Sequence, residues 1–513
     1  MYKLEIKKIM KKLICLLLII IPAALFNSCN DFLEENPVDR YVVSNVYTDE
    51  AGAVASVTSI YNNLYSLYER LMFLVFDLPV DDEKNGRGMP NQYLQNLEYM
   101  RYTPNNTFVR NFWRNSYRGI FRANNALEQI PDIEMDETLK ARLMNEAKFL
   151  RALYYFNLVR AFGDVPLPLG TSIEETVTER KPVADVYAQI IADLTDAKAL
   201  PKSYSGSDVG RATSGAASVL LGEVFVTMKN WNAAVTELGA VVNNEASYGY
   251  GLWEDVKDNY RVTTENGKEC VFAIQFDSPP SNGNGGMQLQ GPKYALQAKY
   301  KTQQIPGRNQ MNEADIPVEE LYAQFSDKDQ RKFVYFSKEF TSPIDTTIYR
   351  VDLPLYTKAW DENEYTAPNS AVNTFVYRYV DALLLYAEAL NESGDPNGAY
   401  THLQRVRSRA YKDDPEGILT GAKTKENLTE WIRRERWMEL VHEGKRWFDL
   451  VRWGILKERM FEHAENESKF TDSFEAAQKL QIKENYKDAM TLMPIPQAEL
   501  DANELLVQNP GWD

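Results

Sequence analysis

The chain has 513 residues, with 57 lysines and arginines against 73 aspartates and glutamates, a formal net charge of −16. So acidic a protein lacks the basic face needed to neutralise phosphates, which excludes a nucleic-acid-binding role. With 44% hydrophobic residues it has ample material for a core, and its three cysteines, Cys15, Cys29 and Cys270, offer neither a disulfide framework nor a CxxC metal or redox pair.

The first element is the apolar run "LICLLLIIIPAALF", Leu13 to Phe26. It is too short for the roughly 20 residues that cross a bilayer. Lys11 and Lys12 precede it and small or polar residues follow, the pattern of a secretory signal peptide over residues 1–28. Met10 could open such a signal by itself. Cys29 then stands at the first mature position, which suits a bacterial lipoprotein whose thiol is acylated. Buried acyl methylenes contribute about 0.8 kcal/mol each, and several chains together give stable anchoring. The "FNSC" box departs from the usual Leu-led form. The first 28 residues hold five lysines and one glutamate, so the mature chain carries −20. Its acidic opening, "NDFLEE", reads as a tether over residues 29–45 that runs away from an anionic membrane surface.

Beyond the tether the pattern is helical. Thr48-Asp49-Glu50 is a helix start, and Val54, Val57, Ile60, Leu64, Leu67 and Leu71 recur at the helical period. Residues 79–107 are polar and rich in Gly and Asn, with few periodic cues. "FWRNSYRGIFRANNALEQIP" resumes a helix, with Trp113, Tyr117, Ile120 and Asn124 on one face and Pro131 at its end. "EAKFLRALYYFNLVRAFGDVPL" is another, stopped by Gly163 and Pro166. "LLGEVFVTMKNWNAAVTEL" and "YAEALNESGDPNGAYTHL" each place small residues where two helices of a hairpin cross, at tetratricopeptide spacing. A repeat needs neighbours to bury its faces, so a short stack of about four hairpins is expected. Residues 249–376 differ in texture. They hold a strand, "CVFAIQF", then segments dominated by Pro, Gly, Asn and aromatics, a long insertion of the kind that carries binding loops on a rigid scaffold.

Catalytic chemistry finds little support. His402, His442 and His463 lack metal-ligand spacing, and "VHEGKR" has no second histidine four residues on. "GNGG" at 283–286 lacks the GK[ST] end of a phosphate loop. Asp81-Asp82 could serve as acid and base in a glycosidase, but a solvated loop is the default reading. A structural calcium ion is compatible with so acidic a chain, yet no EF-hand or other dedicated metal motif appears, and no cofactor is implied. The densest motif is "IRRERWMELVHEGKRWFDLVRWG", residues 432–454. Glu435, Glu439 and Glu443 are spaced four apart, as on one helix face, with Arg436, Lys445, Arg446 and Arg452 in reach and Trp437, Trp447 and Trp453 adding apolar area. The reading is a partly buried Arg–Glu network that specifies packing, not an active site.

At this motif the chain resembles the SusD/RagB family, the surface lipoproteins of Bacteroidetes nutrient-uptake systems. The resemblance rests on "CNDFLEENP" at the mature start, "EAKFLRALYYFNLVRAFGDVPL", residues 432–454 and the tail "LMPIPQAELDANELLVQNPGW". "YRYVDALLLYAEALNESGD" fits too, although Asp381 stands where family members often have glutamate. The resemblance implies a mainly α fold of tetratricopeptide-like helical hairpin repeats packed against a loop-rich variable region with a few short strands. It implies a single domain over 46–513, with N-terminal repeats (46–248), the variable insertion (249–376) and a C-terminal repeat, Arg/Glu/Trp helix and Pro-rich tail (377–513). It also implies a role: a lid on a SusC-like TonB-dependent transporter that captures a nutrient, usually a glycan, at the outer-membrane surface. Asp31, Glu34 and Glu35 resemble the family's surface-export signal.

Sugars stack their apolar faces on aromatic rings while Asp, Asn, Gln and Arg bond their hydroxyls. Two stretches offer such groups. The loop 79–107 has Asp81, Asp82, Arg87, Asn91, Tyr93, Tyr99 and Tyr102. The insertion has Tyr294, Tyr300, Arg308 and Trp360. The competing readings are a peptide-binding RagB-type lipoprotein, a surface glycoside hydrolase and a pure interaction scaffold.

Overall fold

The structure, a computed structural model, describes residues 47–86, 91–276, 314–341, 346, 348–358 and 371–512. The signal peptide, Cys29, the export-signal residues and the tether lie outside the described residues. So do Arg87, Tyr294, Tyr300, Arg308 and Trp360.

The helices of six residues or more are α1 (Glu50–Tyr68), α2 (Leu71–Phe76), α3 (Gln92–Glu98), α4 (Thr107–Gln129), α5 (Glu137–Phe162), α6 (Val183–Ala197), α7 (Ser214–Thr227), α8 (Trp231–Val242), α9 (Tyr379–Ser393), α10 (Pro396–Ala410), α11 (Lys425–Glu439), α12 (Arg446–Trp453), α13 (Leu456–Glu467), α14 (Ser473–Leu480) and α15 (Gln497–Ala502). The strands are β1 (Glu83–Lys84), β2 (Cys270–Ile274), β3 (Ile316–Pro317), β4 (Phe336–Thr341), β5 (Ile348–Tyr356) and β6 (Thr374–Arg378). They form three antiparallel pairs: β1 with β3, β2 with β6, and β4 with β5.

Local chemistry explains the helix ends. Asp49 caps α1 by accepting the Gly52 N–H at 2.9 Å, and Asp136 caps α5 by accepting that of Leu139 at 2.8 Å. α5 stops at Gly163, whose φ of +73° closes the last turn where a side chain would be strained. The hairpins α4–α5, α7–α8 and α9–α10 pack in sequence, α6 lies against α5 and α7, and α8 meets α9. This is a tetratricopeptide-like stack. Small residues set its spacing: a Cβ at Gly222 would come within 2.5 Å of Leu238, so α7 and α8 approach closely only because that position is glycine. One continuous apolar core runs from α1 to the tail at Trp512. A smaller core, with Tyr335, Phe336, Tyr356 and Met438, seats the insertion against α11.

Two expectations change. Residues 78–86 are buried throughout rather than forming a solvated loop. They run under the insertion, where β1 pairs with β3 and Asn85 Nδ2 donates to the Ala314 carbonyl at 3.1 Å. Glu443 is also not on the face of Glu435 and Glu439. α11 ends at Glu439, and the chain turns before α12 with His442 at φ +54° and Gly444 at φ +67°.

Candidate ligand surface and the charged interior behind it

The 432–454 motif lies at the centre of a buried ionic network, but its partners come from elsewhere in the chain. Glu439 accepts from Arg331 Nη1 at 2.8 Å, Arg378 Nη1 at 2.9 Å and Arg409 Nη2 at 2.7 Å. Glu435 accepts from Arg331 at 2.7 Å and Arg407 at 2.8 Å. Glu443 accepts from Arg378 and Lys358. Burial alone would raise the Glu439 carboxyl, but the charges of Arg409, Arg378 and Arg331 outweigh it and hold it far below the usual range. Arg331 belongs to the insertion and Arg378 ends β6. The network therefore clamps the loop-rich region onto the helical stack.

The cations of the motif face outward from it. Arg436 bridges Asp381 at 2.8 Å and Asp449 at 2.8 Å. Lys445 pairs with Asp381 at 3.2 Å. Arg446 grips both oxygens of Asp81 at 2.7 Å, and Arg459 adds bonds of 2.8 and 2.6 Å to the same carboxylate. Trp447 is fully buried between Phe76 and Phe448, with ring centroids at 5.5 and 5.2 Å.

The candidate ligand residues of 79–107 divide sharply. Asp81 and Asp82 are buried, so neither is presented to a polysaccharide. Asp81 is consumed by two arginines. Tyr99 and Tyr102 are interior as well: the Tyr99 ring lies under Arg101 at 5.2 Å, and Tyr102 packs on Trp512 at 5.2 Å. Offered by the sequence for sugar stacking, Tyr102 instead ties this stretch to the C-terminal tail, and Tyr99 ties it to Lys479 of α14. Asn91 caps α3, accepting the Tyr93 N–H at 2.9 Å. Tyr93 is 42% exposed, and its carbonyl accepts from Asn106 Nδ2 at 3.0 Å, which fixes the backbone beneath an accessible ring.

Concave surfaces lie elsewhere too. A groove of 450 Å³ beside α4 and α15 is lined by Trp113, Tyr117, Phe121, Asn124 and Glu499 among others. A second, of 280 Å³, is lined by Tyr204, Tyr248, Tyr250, Arg211 and Asn266 among others, with Tyr248 and Tyr250 stacked at 5.7 Å. Sequence reasoning missed both, because their residues are far apart in the chain. Cys270 borders the second, half-buried, its thiol pushed up to about 12 by burial, which makes it a poor nucleophile. Among the described residues no helix is long and apolar enough to cross a membrane.

Comparison with known proteins settles the family. A model described as the SusD family matches residues 347–512, and one described as "Starch-binding associating with outer membrane" matches residues 31–226. The chain belongs to the SusD/RagB family. It is similar to SusD-like protein P2 of Formosa agariphila, 27% identical over 94% of this chain and 97% of the relative. A SusD homolog from Bacteroides thetaiotaomicron superposes with a TM-score of 0.77 at 25% identity, covering 92% of this chain and 99% of that one. A laminarin-binding SusD-like protein superposes with a TM-score of 0.72 at 26% identity, over 91% of this chain and 100% of that one. The mainly helical, tetratricopeptide-like architecture of this SusD/RagB member is that of these structures.

Proposed function

We propose that this SusD/RagB protein is a non-catalytic surface lipoprotein that binds an oligo- or polysaccharide and delivers it to a SusC-like TonB-dependent transporter. Acylation of Cys29 holds it in the outer membrane, and Asp31, Glu34 and Glu35 direct it to the outer face. The observation that carries the reading is the similarity to a laminarin-binding protein over nine-tenths of the chain, in a family one of whose models is described as starch-binding.

The ligand site is proposed at the junction of the α3 region with the insertion. Support comes from the β1–β3 ladder, which fastens the two stretches together, and from Tyr93, an exposed ring at the start of α3. Arg87, Asn91, Tyr294, Tyr300, Arg308 and Trp360 complete the proposed contact group. Rigid aromatic platforms recognise sugars at low entropic cost because little is ordered on binding.

The test is native affinity electrophoresis of residues 30–513 against a panel of polysaccharides that includes laminarin and starch, with peptides titrated calorimetrically in parallel. Retardation by one polysaccharide class, abolished in a Tyr93→Ala/Tyr294→Ala/Trp360→Ala variant, is the expected result. Heat from peptides with no retardation by any glycan would move the protein to peptide uptake. Release of sugar from any polysaccharide would overturn the non-catalytic reading.

A further inference from the structure

Beside the β1–β3 ladder lies a second group of side chains that the sugar-binding reading does not use. α2 ends at Asp77, β1 contributes Glu83, Asp315 precedes β3, and His442 sits in the turn after α11. Three of these segments thus converge on one interior point, and Asp315 lies beside it. One ligand atom from each of Asp77, Glu83 and His442 lies within 4.8 Å of the others. All four residues are buried, Glu83 and Asp315 completely.

The polar bookkeeping does not close. Asp77 Oδ2 accepts the Gly444 N–H at 2.9 Å, but among the described residues Asp77 Oδ1, Glu83 Oε2, Asp82 Oδ1 and both oxygens of Asp315 lack a well-formed hydrogen bond. His442 Nδ1 stands 2.7 Å from Glu83 Oε1 and 3.5 Å from Asp315 Oδ2. The Glu83 and Asp315 carboxyls also face one another within hydrogen-bond reach, and the Tyr356 hydroxyl bonds to Glu83. Acceptors facing acceptors need a proton or a cation between them. The neighbouring cations are committed elsewhere: Arg446 to Asp81, and Lys358 to Glu443 and the Val441 carbonyl.

The imidazole is held as a ligand must be held. Its ring is sandwiched between Phe73, at 4.6 Å and 19°, and Tyr356, at 4.7 Å and 30°. Burial keeps it neutral, with its pKa pushed down to about 4, and raises Glu83 to about 8 and Asp77, Asp82 and Asp315 well above the usual carboxylate range.

We propose that Asp77, Glu83 and His442, with Asp315 beside them, bind one divalent transition-metal cation of the manganese or zinc type. Three carboxylates with one imidazole suit such ions. Calcium prefers an all-oxygen shell. The ion would join α2, the β1–β3 ladder and the turn after α11, and so brace the floor under the loops. This inference stands on the buried cluster and not on what ligand the surface binds.

The test uses untagged protein, residues 30–513, stripped with a chelator, reloaded separately with Mn²⁺, Zn²⁺ or Ca²⁺, and desalted. Elemental analysis is expected to find one retained equivalent of Mn²⁺ or Zn²⁺, with a raised melting temperature, and a retention at least tenfold lower in Asp315→Asn. Should that variant fail to fold, pulsed electron paramagnetic resonance of the Mn²⁺-loaded wild type decides: coupling to a ¹⁴N nucleus is expected from His442. No retained transition metal, Mn²⁺ without nitrogen coupling, or Ca²⁺ bound to the exclusion of both would overturn the proposal, leaving shared protons in the cluster.

Discussion

Glu439→Gln tests whether the ionic network is the clamp between scaffold and insertion. The substitution keeps the side-chain volume but removes the charge that three buried guanidinium groups share. Those three are not equally exposed to the loss. Arg331 keeps Asp329 at 2.7 Å and Glu435 at 2.7 Å, and Arg378 keeps Glu443 and Glu269. Among the described residues Arg409 keeps only Glu269, at 3.5 Å. Removing one partner of a buried pair costs about 3–5 kcal/mol, because the remaining charge is left uncompensated, and here that charge is chiefly Arg409. Unfolding entropy scales with length at about 2.1 cal/mol/K per residue, so for a chain of this size each kcal/mol is worth roughly 1 °C. Calorimetry should find the melting temperature lowered by about 3–5 °C. The exposed control Glu430→Gln, whose carboxylate meets Arg433 at 3.4 Å, should leave it unmoved. The double variant Glu439→Gln/Arg409→Met should recover at least half of the loss, since an apolar replacement removes the stranded charge. A double variant less stable than Glu439→Gln alone would refute the reasoning.

Two further outcomes follow from the same interior. A Cβ at Gly119 would lie 2.2 Å from Tyr154 Cζ, and that ring is pinned by bonds from its hydroxyl to the Ile60 carbonyl and from Asn63. Gly119→Ala should therefore destabilise by about 2 kcal/mol net, overpacking outweighing the helix propensity of alanine, as chemical denaturation would show. Burial would raise the Asp381 carboxyl, but Lys445 and Arg436 outweigh it and hold the group at about 2. Its folded pKa is below the unfolded value, so its contribution, on the order of 2 kcal/mol, is present above about pH 4 and lost as pH falls through 2. The melting-temperature gap between the wild type and Asp381→Asn should accordingly narrow between pH 5 and pH 2.5. A gap constant over that range would refute the assignment.

The helical period and the small residues at hairpin crossings made the stack legible in the sequence, because both are local signals. Gly222 meets Leu238 of the very next helix, and Gly163 closes the helix it follows. The partners of Glu439 were not legible. Arg331, Arg378 and Arg409 lie 108, 61 and 30 positions away, and nothing in a helix period records a contact across such distances. The Glu435–Glu439–Glu443 spacing misled for a related reason: a four-residue repeat looks helical whether or not His442 and Gly444 turn the chain. Polarity misled at Asp81, Tyr99 and Tyr102. A run of Asp, Asn and Tyr reads as surface, yet Arg446 and Arg459 supply the charge that allows Asp81 to be buried. At the ligand surface only Tyr93 among the aromatic candidates of 79–107 is accessible, and exposure is a property that no residue type fixes.

The antiparallel pairing of β2 with β6 has a consequence for how such a protein can change its ligand. Phe276 N–H donates to Asn373 Oδ1 at 2.7 Å just past the end of that ladder, so the two ends of the insertion are held side by side at a neck. Loop-closure entropy grows only as the logarithm of length, about 0.6 kcal/mol for each doubling. With the neck shut, and with β3, Arg331 and the smaller core holding the insertion to the stack, the stretches of the insertion outside those anchors can be lengthened, shortened or replaced at small thermodynamic cost. The anchors behave as a socket, and exchanging only the stretches between them should transplant binding preference from one such protein to another while leaving the fold intact.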